Sequence, residues 1–291
     1  MAHYPVAFLG FGNVGRALAR LLCRKSQQLR EEYAITFTVT GIATGRRGQW
    51  TDTRGIDLQQ ALALVESGQR FSPSPTLPIP QFLESTAARV VFETIPVNYE
   101  TGQPAVDYLR AALELGMHAI SANKGPVVHA YRELTGLAKA HGVHYYFESA
   151  VMDGAPIFSL VRETLPAASI RGLRGILNST TNLILERMEA GESMQQAIAY
   201  AQSIGIAETD PLGDLDGWDA AVKVAALTTV VMGIPLKPQQ VDRTGILAIT
   251  PQEIERAQRE GKRWKLVCTA HRQGNTIQAR VAPEIDRKSV V

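Results

Sequence analysis

The sequence predicts an α/β chain in which a doubly wound parallel sheet is followed by a second, α+β domain. Three observations carry this. Strand-like and helix-like runs alternate through the first 150 residues, the pattern of parallel strands joined by helical crossovers. Glycines crowd the junction between the first strand-like run and the first helical one. After about residue 150 the alternation stops, and consecutive helical runs give way to two adjacent strand-like runs. A chain of 291 residues suits two domains, since one domain takes roughly 150 residues. The expected division is 1–150 and 151–291.

Residues 5–9 form a short apolar run ahead of the glycines, and residues 14–30 read as helix. Residues 35–43 alternate and are rich in β-branched side chains, which suits a second strand. Residues 58–66 are helical, with Gly68 as the stop, and Pro73, Pro75, Pro78 and Pro80 mark an extended surface loop. Strands follow at 90–95, 118–121 and 143–147, separated by helices at 105–115 and 131–140 that end at Gly116 and Gly142. In the second half a helix at 157–164 stops before Pro166, and 170–177 reads as a strand. Helices follow at 181–190, 194–204 and 217–232; Ser193 with Gln196 makes a capping box for the middle one, which Gly205 closes. A last helix at 252–259 precedes strand-like runs at 264–271 and 276–281, joined through Gln273-Gly274-Asn275 as a hairpin.

Composition narrows the class of function. At 45% hydrophobic and 20% charged residues the chain has material for a sizeable core. A net charge of +2 supplies no field that would favour nucleic acid or an anionic membrane as partner. The start lacks the basic and apolar regions of a signal peptide, and the most apolar stretch, 220–236, carries Lys223 and is too short to span a bilayer. Cys23 and Cys268 lie far apart and read as free thiols of a cytoplasmic protein. His141 and His144 approach a metal spacing, but no third ligand accompanies them, so they read as ordinary histidines.

Gly10-Phe11-Gly12-Asn13-Val14-Gly15 is a G-x-G-x-x-G turn placed directly between the first strand and the first helix. Gly10 permits the tight turn, Gly12 lets backbone approach a pyrophosphate, and Gly15 allows close helix–strand packing. The helix N-terminus then favours phosphate charge, so the first domain reads as a Rossmann-type dinucleotide site. An NAD site wants a carboxylate at the end of the second strand. Here that strand runs into Ala43-Thr44-Gly45-Arg46-Arg47-Gly48, with no carboxylate before Asp52. Arg46 or Arg47 could pair a 2′-phosphate, which points to NADP with NAD as the lesser partner; the other reading is a pair of solvated loop arginines.

The segment Asp214-Leu215-Asp216-Gly217-Trp218-Asp219-Ala220-Ala221-Val222-Lys223 opens an otherwise apolar helix. Asp216, Asp219 and Lys223 stand at i, i+3 and i+7 and are expected to share one stripe. An ammonium on so apolar a helix needs a paired charge or a polar cleft, which makes Lys223 a candidate for proton transfer. A structural buried ion pair is the competing reading. Upstream, Gly205-Ile206-Ala207-Glu208-Thr209-Asp210-Pro211 puts acidic groups in the loop entering this helix, where they suit a substrate ammonium or simply cap the helix. Lys124, in Ser121-Ala122-Asn123-Lys124-Gly125, follows the fourth strand, at the carboxyl end where doubly wound sheets bind ligands.

Four blocks now resemble homoserine dehydrogenases: Gly10 to Gly15; Ala122-Asn123-Lys124; Asn178-Ser179-Thr180-Thr181-Asn182; and Gly205 to Lys223. The resemblance runs from residue 6 to about 260 and implies reversible hydride transfer between L-homoserine and L-aspartate 4-semialdehyde. It makes Lys223 the proton donor and acceptor at the substrate oxygen, with Lys124 assisting. By the same likeness Glu208, Asp219 and Asp214 hold the substrate, while Thr94 and Gly205 join the glycine turn at the cofactor. The segment 148–155 resembles the loop where the family binds a monovalent cation such as sodium, through the carbonyls of Glu148, Val151, Asp153 and Ala155. Met152-Asp153 departs from the glycine-rich form of that loop, Ile206 replaces a frequent aromatic residue, and Asn178-Ser179 replaces Asn-Gly.

A homodimer is implied by the likeness alone. So is a further segment returning to the nucleotide-binding domain. Residues 282–291 read as a polar tail without strand or helix pattern, so the second domain is expected to lack that return, and cofactor retention and turnover are expected to be low. Two other functions fit parts of this sequence. Another NAD(P)-dependent amino-acid or semialdehyde oxidoreductase would leave the Glu208–Asp219–Lys223 block unexplained. A dinucleotide-binding regulatory protein with little turnover would suit the short C-terminus but would have no use for both lysines.

Overall fold

A computed structural model describes residues 1–71, 76–152, 154–208 and 210–287. The chain divides into two units, Met1–Pro156 and Ile157–Val291.

In the first unit the elements run β1 (Ala2–Leu9), α1 (Asn13–Tyr33), β2 (Ile35–Thr44), β3 (Gly48–Thr51), α2 (Leu58–Glu66), α3 (Ile79–Thr86), β4 (Val90–Glu93), α4 (Ala105–Glu114), β5 (His118–Ser121), α5 (Lys124–Ala140), β6 (Tyr145–Tyr146) and α6 (Ser149–Met152). They build a six-stranded sheet in the order β3-β2-β1-β4-β5-β6, parallel except for β3. Alternation along β1 explains why both faces carry helices. Val6 and Phe8 join a core cluster with Ala19 of α1 and Ala61 of α2, whereas Ala7 and Leu9 join another with Phe82 of α3 and Ala112 of α4. This is the expected doubly wound sheet. Its strand order reverses between β1 and β4, and ligands of such sheets bind outside the carboxyl ends of the strands at that point.

Local departures have local causes. Pro80, read as part of an extended loop, sits in the first turn of α3, where a missing N–H costs nothing; Pro73 and Pro75 lie outside the described residues. The Thr44-to-Gly48 segment is a tight hairpin into β3, an antiparallel edge strand the alternation pattern did not announce. Helix α5 begins at Lys124 rather than at residue 131; a kink at Ala130 separates the two halves, and only the second had a clear apolar period.

The second unit comprises α7 (Ile157–Thr164), β7 (Gly172–Gly175), α8 (Ser179–Glu189), α9 (Met194–Ser203), α10 (Leu212–Leu215), α11 (Trp218–Val231), β8 (Asp242–Arg243), α12 (Pro251–Arg259), β9 (Lys262–Gln273) and β10 (Thr276–Arg287). A mixed sheet runs β7-β9-β10-β8, with α8, α11 and α12 packed on β9. Helix α11 is buried on nearly every side from Asp219 to Thr229, which its apolar sequence anticipates. The predicted hairpin closes through Gly274-Asn275, Gln273 facing Thr276. The stretch from Ala282, read as a patternless tail, continues β10 to Arg287. Pro283 is tolerated there because β8 pairs only with Arg280 and Val281, so the proline lies past the end of that ladder. Among the described residues no helix is long and apolar enough to cross a membrane.

Candidate active site

Sterics account for two of the three glycines of the turn. Gly10 has φ +94°, and a Cβ there would lie 2.7 Å from the Thr94 backbone. A Cβ on Gly15 would meet the Gly10 carbonyl at 2.8 Å, so helix α1 packs as close as glycine allows. Above Gly12 nothing lies within 4 Å, leaving room for a ligand's backbone approach. Asn13, Val14 and Gly15 open α1, which has no side-chain cap and no acidic residue in its first turn. Its first N–H groups therefore offer a phosphate site. Phe11 instead turns inward and is buried against Phe8, 5.5 Å between ring centroids.

Because β1 and β4 are neighbours, Thr94 meets the turn directly: its hydroxyl donates to the Gly10 carbonyl at 3.0 Å. A cleft of about 290 Å³ opens beside it, lined in part by Leu9, Gly10, Ala43, Thr44, Gly45 and Ile95. Arg46 and Arg47 occupy the β2–β3 turn, next in the chain to the lining residue Gly45. They differ in availability. Arg47 donates to the Gly68 carbonyl and is half-buried, while Arg46 is exposed. The glycine cradle and the uncapped helix fit a dinucleotide.

A second polar cluster supports the adjoining strand ends. Glu93, wholly buried at the end of β4, accepts from Ile95 N–H at 2.8 Å, from the Ser121 hydroxyl at 2.6 Å and from Asn123 Nδ2 at 3.4 Å. Burial pushes its carboxyl above the usual range against the pull of these three donors. Asn123 also caps α5 by accepting from Gly125 N–H, which sets half-buried Lys124 at the head of that helix. An acidic residue closing an otherwise apolar strand was the only sequence sign of this cluster.

In the second unit the start of α8 organises the charged groups. Asn178 is the N-cap, its Oδ1 accepting from Thr181 N–H at 2.8 Å. Its Nδ2 donates to Asp214 at 2.7 Å and to Asp219 at 3.0 Å. Asp219 pairs with Lys223 at 2.9 Å, one helical turn along α11, and Lys223 Nζ also donates to the Leu177 carbonyl at 2.8 Å. Both side chains of the pair are largely buried, 11% and 16% exposed. Burial raises the Asp214 carboxyl, the Asp219 charge adds to this, and the Asn178 and Thr180 hydrogen bonds with the Lys223 charge oppose it. Cys268, buried on β9 beside these charges, is pushed up to about 11 by burial and stays a neutral thiol at neutral pH.

The expected stripe of Asp216, Asp219 and Lys223 is not formed. Gly217, at φ +79°, breaks the chain between α10 and α11, so helical spacing does not extend back to Asp216. Asp216 instead pairs with Arg243, which stacks on Trp218. Asp214 lies beside Asp219, both accepting from Asn178 Nδ2. Glu208 lies exposed in the loop after α9, its carbonyl accepting from Gln202, and Thr180 tethers that loop through the Ile206 carbonyl at 3.4 Å. Gly205, exposed at φ +75°, ends α9 as a left-handed cap. In the loop compared with a cation site, Glu148 precedes α6, Val151 is buried within it and Ala155 follows; Asp153 lies outside the described residues.

Two family models divide the chain between them: the homoserine dehydrogenase NAD-binding domain matches residues 10–148, and the homoserine dehydrogenase domain matches 156–290. An NAD(+)-dependent homoserine dehydrogenase of Pseudomonas canavaninivorans is 34% identical over 290 residues, covering 98% of this chain and 82% of that protein. This chain belongs to the homoserine dehydrogenase family. A second member, from Methanocaldococcus jannaschii, is 36% identical over 267 residues, covering 90% of this chain and 79% of its own length. Among solved homoserine dehydrogenases, that of Thiobacillus denitrificans superposes with a TM-score of 0.79 at 31% identity, covering 98% of this chain and 62% of its own. A hyperthermophilic archaeal homoserine dehydrogenase in complex with NADPH gives 0.79 at 27% identity, covering 99% and 83%. Family membership makes the chain an NAD(P)-dependent oxidoreductase acting on an alcohol.

Proposed function

We propose that the chain interconverts L-homoserine and L-aspartate 4-semialdehyde, with Lys223 moving the proton at the substrate oxygen. The observation that carries this is the setting of Lys223. An ammonium has three protons, and two are taken by Asp219 and the Leu177 carbonyl, which aims the third at a fixed point. In the reducing direction the ammonium gives that proton to the carbonyl oxygen. In the oxidising direction the neutral amine takes the proton from the alcohol. The nicotinamide, when bound, exchanges the hydride with the substrate carbon. Asp214, Asp219 and Glu208 form the acidic set that recognises the substrate ammonium, and Lys124 assists at the reacting oxygen. A structural ion pair would explain the Asp219–Lys223 contact but not the convergence of a second carboxylate, Asp214, on the same amide.

For the cofactor we favour NADP over NAD. The support is exposed Arg46, next in the chain to the cleft residue Gly45, and the absence of a carboxylate where β2 ends. The family offers both: the Pseudomonas relative is named NAD(+)-dependent, and the archaeal structure holds NADPH. A cytoplasmic homodimer, and a monovalent cation on the carbonyls of Glu148, Val151, Asp153 and Ala155, complete the reading. Homoserine oxidation by the purified chain with each cofactor tests it. The expected result is turnover with a lower Kd for NADP, narrowed by Arg46→Ala and little changed by Arg47→Ala, since Arg47 is already committed to Gly68. A chain that binds NADP but leaves homoserine untouched refutes the substrate, and a clear preference for NAD refutes the cofactor.

A further inference from the structure

The two carboxylates of the second unit pose an electrostatic problem that Lys223 alone does not solve. Asp214 and Asp219 share one donor atom, Asn178 Nδ2, so their accepting oxygens lie no farther apart than the sum of two hydrogen bonds. Like charges at that range, away from bulk water, drive one carboxylate to hold its proton. Among the described residues, the charged and titratable groups around this pair are Lys223 of α11, bonded to Asp219, and the neutral Cys268 thiol of β9, which lies near Asp219 and Lys223. The ammonium of Lys223 pairs with Asp219, while Asp214 is also hydrogen-bonded by Thr180.

We infer that Asn178 is the positioning residue of this site, its single amide group holding Asp214 and Asp219 together in ionised form and thereby fixing the Lys223 ammonium. The inference rests on the reading of Lys223 and its acidic partners given above. Its geometric basis is that the amide cannot turn round. Oδ1 accepts from both the N–H and the hydroxyl of Thr181, at 2.8 and 2.9 Å, so a flip would set the NH2 group against a backbone donor. Each of the two Nδ2 protons is thus committed to one carboxylate. Asn178 is buried, 3% exposed, so water does not substitute for the amide. Leu177, the residue before it, supplies the carbonyl that Lys223 also bonds. One short stretch therefore holds Lys223 twice, directly through Leu177 and indirectly through Asn178 and Asp219. A helix cap has become the frame for a proton relay.

The test separates capping from positioning. Asn178→Ser keeps an oxygen able to cap α8 and loses both amide donors. Asn178→Asp keeps size and cap and replaces the donors by a third carboxylate. Both are expected to lower kcat/KM for homoserine by roughly ten- to a hundredfold, the effect of leaving a buried charge without its donor. Without the donors Asp214 holds its proton to higher pH, so the acidic limb of the pH profile should move upward, while NADP affinity stays unchanged because the glycine turn belongs to the other unit. Titrating the Asp carboxyl carbons by 13C NMR, with the Asp214 signal assigned by its loss in Asp214→Asn, reads the same effect without turnover. Its midpoint should rise in Asn178→Ser. Wild-type carboxyl titration and an unmoved pH profile in both variants would overturn the inference and leave Asn178 a helix cap only. If the wild type fails to oxidise homoserine, the substrate assignment falls, and the carboxyl titration still decides the role of Asn178.

Discussion

Replacing Lys223 by alanine removes two hydrogen bonds from a largely buried site, and the structure allows the stability and catalytic costs to be separated. On the stability side the change leaves Asp219 without its ion-pair partner and the Leu177 carbonyl without a donor. A wholly buried pair broken in this way costs about 3–5 kcal/mol. The cost here should be nearer 1–3 kcal/mol, because Asn178 still donates to Asp219 at 3.0 Å and both side chains retain some exposure. On the catalytic side, loss of a positioned acid–base group slows turnover by roughly two to four orders of magnitude, or about 3–5 kcal/mol of barrier. Urea unfolding measures the first term, and the absorbance of reduced nicotinamide at saturating homoserine measures the second. NADP affinity should hardly change, since the glycine turn lies in the other unit. Lys223→Met, which fills the space, should recover part of the stability and none of the turnover. A folded Lys223→Ala chain that turns over within a few-fold of wild type would refute the relay and leave Lys223 a structural partner of Asp219.

The glycine turn gives a paired prediction. Gly12→Ala should fold normally, because its Cβ meets nothing within 4 Å, and should weaken dinucleotide binding; Gly10→Ala, at φ +94° and 2.7 Å from Thr94 backbone, should also lose about 1–3 kcal/mol. Equal melting temperatures for the two variants would contradict this steric account. Glu93→Ala removes the acceptor of the Ser121 hydroxyl and the Ile95 N–H and one of two acceptors of Asn123 Nδ2, and should cost about 2–4 kcal/mol by urea unfolding, whereas Glu93→Gln keeps an acceptor and should cost clearly less. The Asp214 carboxyl is raised on folding, so the folded state resists its ionisation and stability declines as pH rises from the ordinary aspartate range, near 3.9, through the raised value. Asp214→Asn should lack that decline and gain stability relative to wild type as pH rises toward neutrality. A difference that does not vary with pH would count against the burial of Asp214 as its cause.

What was legible in the sequence was whatever depends on neighbours along the chain. The alternation of strands and helices named the parallel sheet, because a βαβ unit is local and its handed crossover leaves few ways to assemble. The glycine spacing named the turn, because the positive φ of Gly10 and the approach of Gly15 to the Gly10 carbonyl are properties of six consecutive residues. The capping box of Ser193 and Gln196 and the Gly274-Asn275 hairpin were legible for the same reason. Helical spacing misled at Asp216, where one left-handed glycine reset the register and sent the carboxylate to Arg243.

By itself, then, the sequence determined the two-part α/β plan, the dinucleotide turn and a lysine that an apolar helix had to satisfy somehow. Tertiary structure decided who satisfies it. Asn178 stands 36 residues from Asp214 and 41 from Asp219, and Leu177 stands 46 from Lys223, so no periodicity links them. Nor does any pattern bring Thr94 to Gly10 across 84 residues; that contact exists because β4 is placed beside β1. Propensities act over one or two turns of chain, whereas the charges that set a proton relay act through space. Only packing brings distant residues within that range.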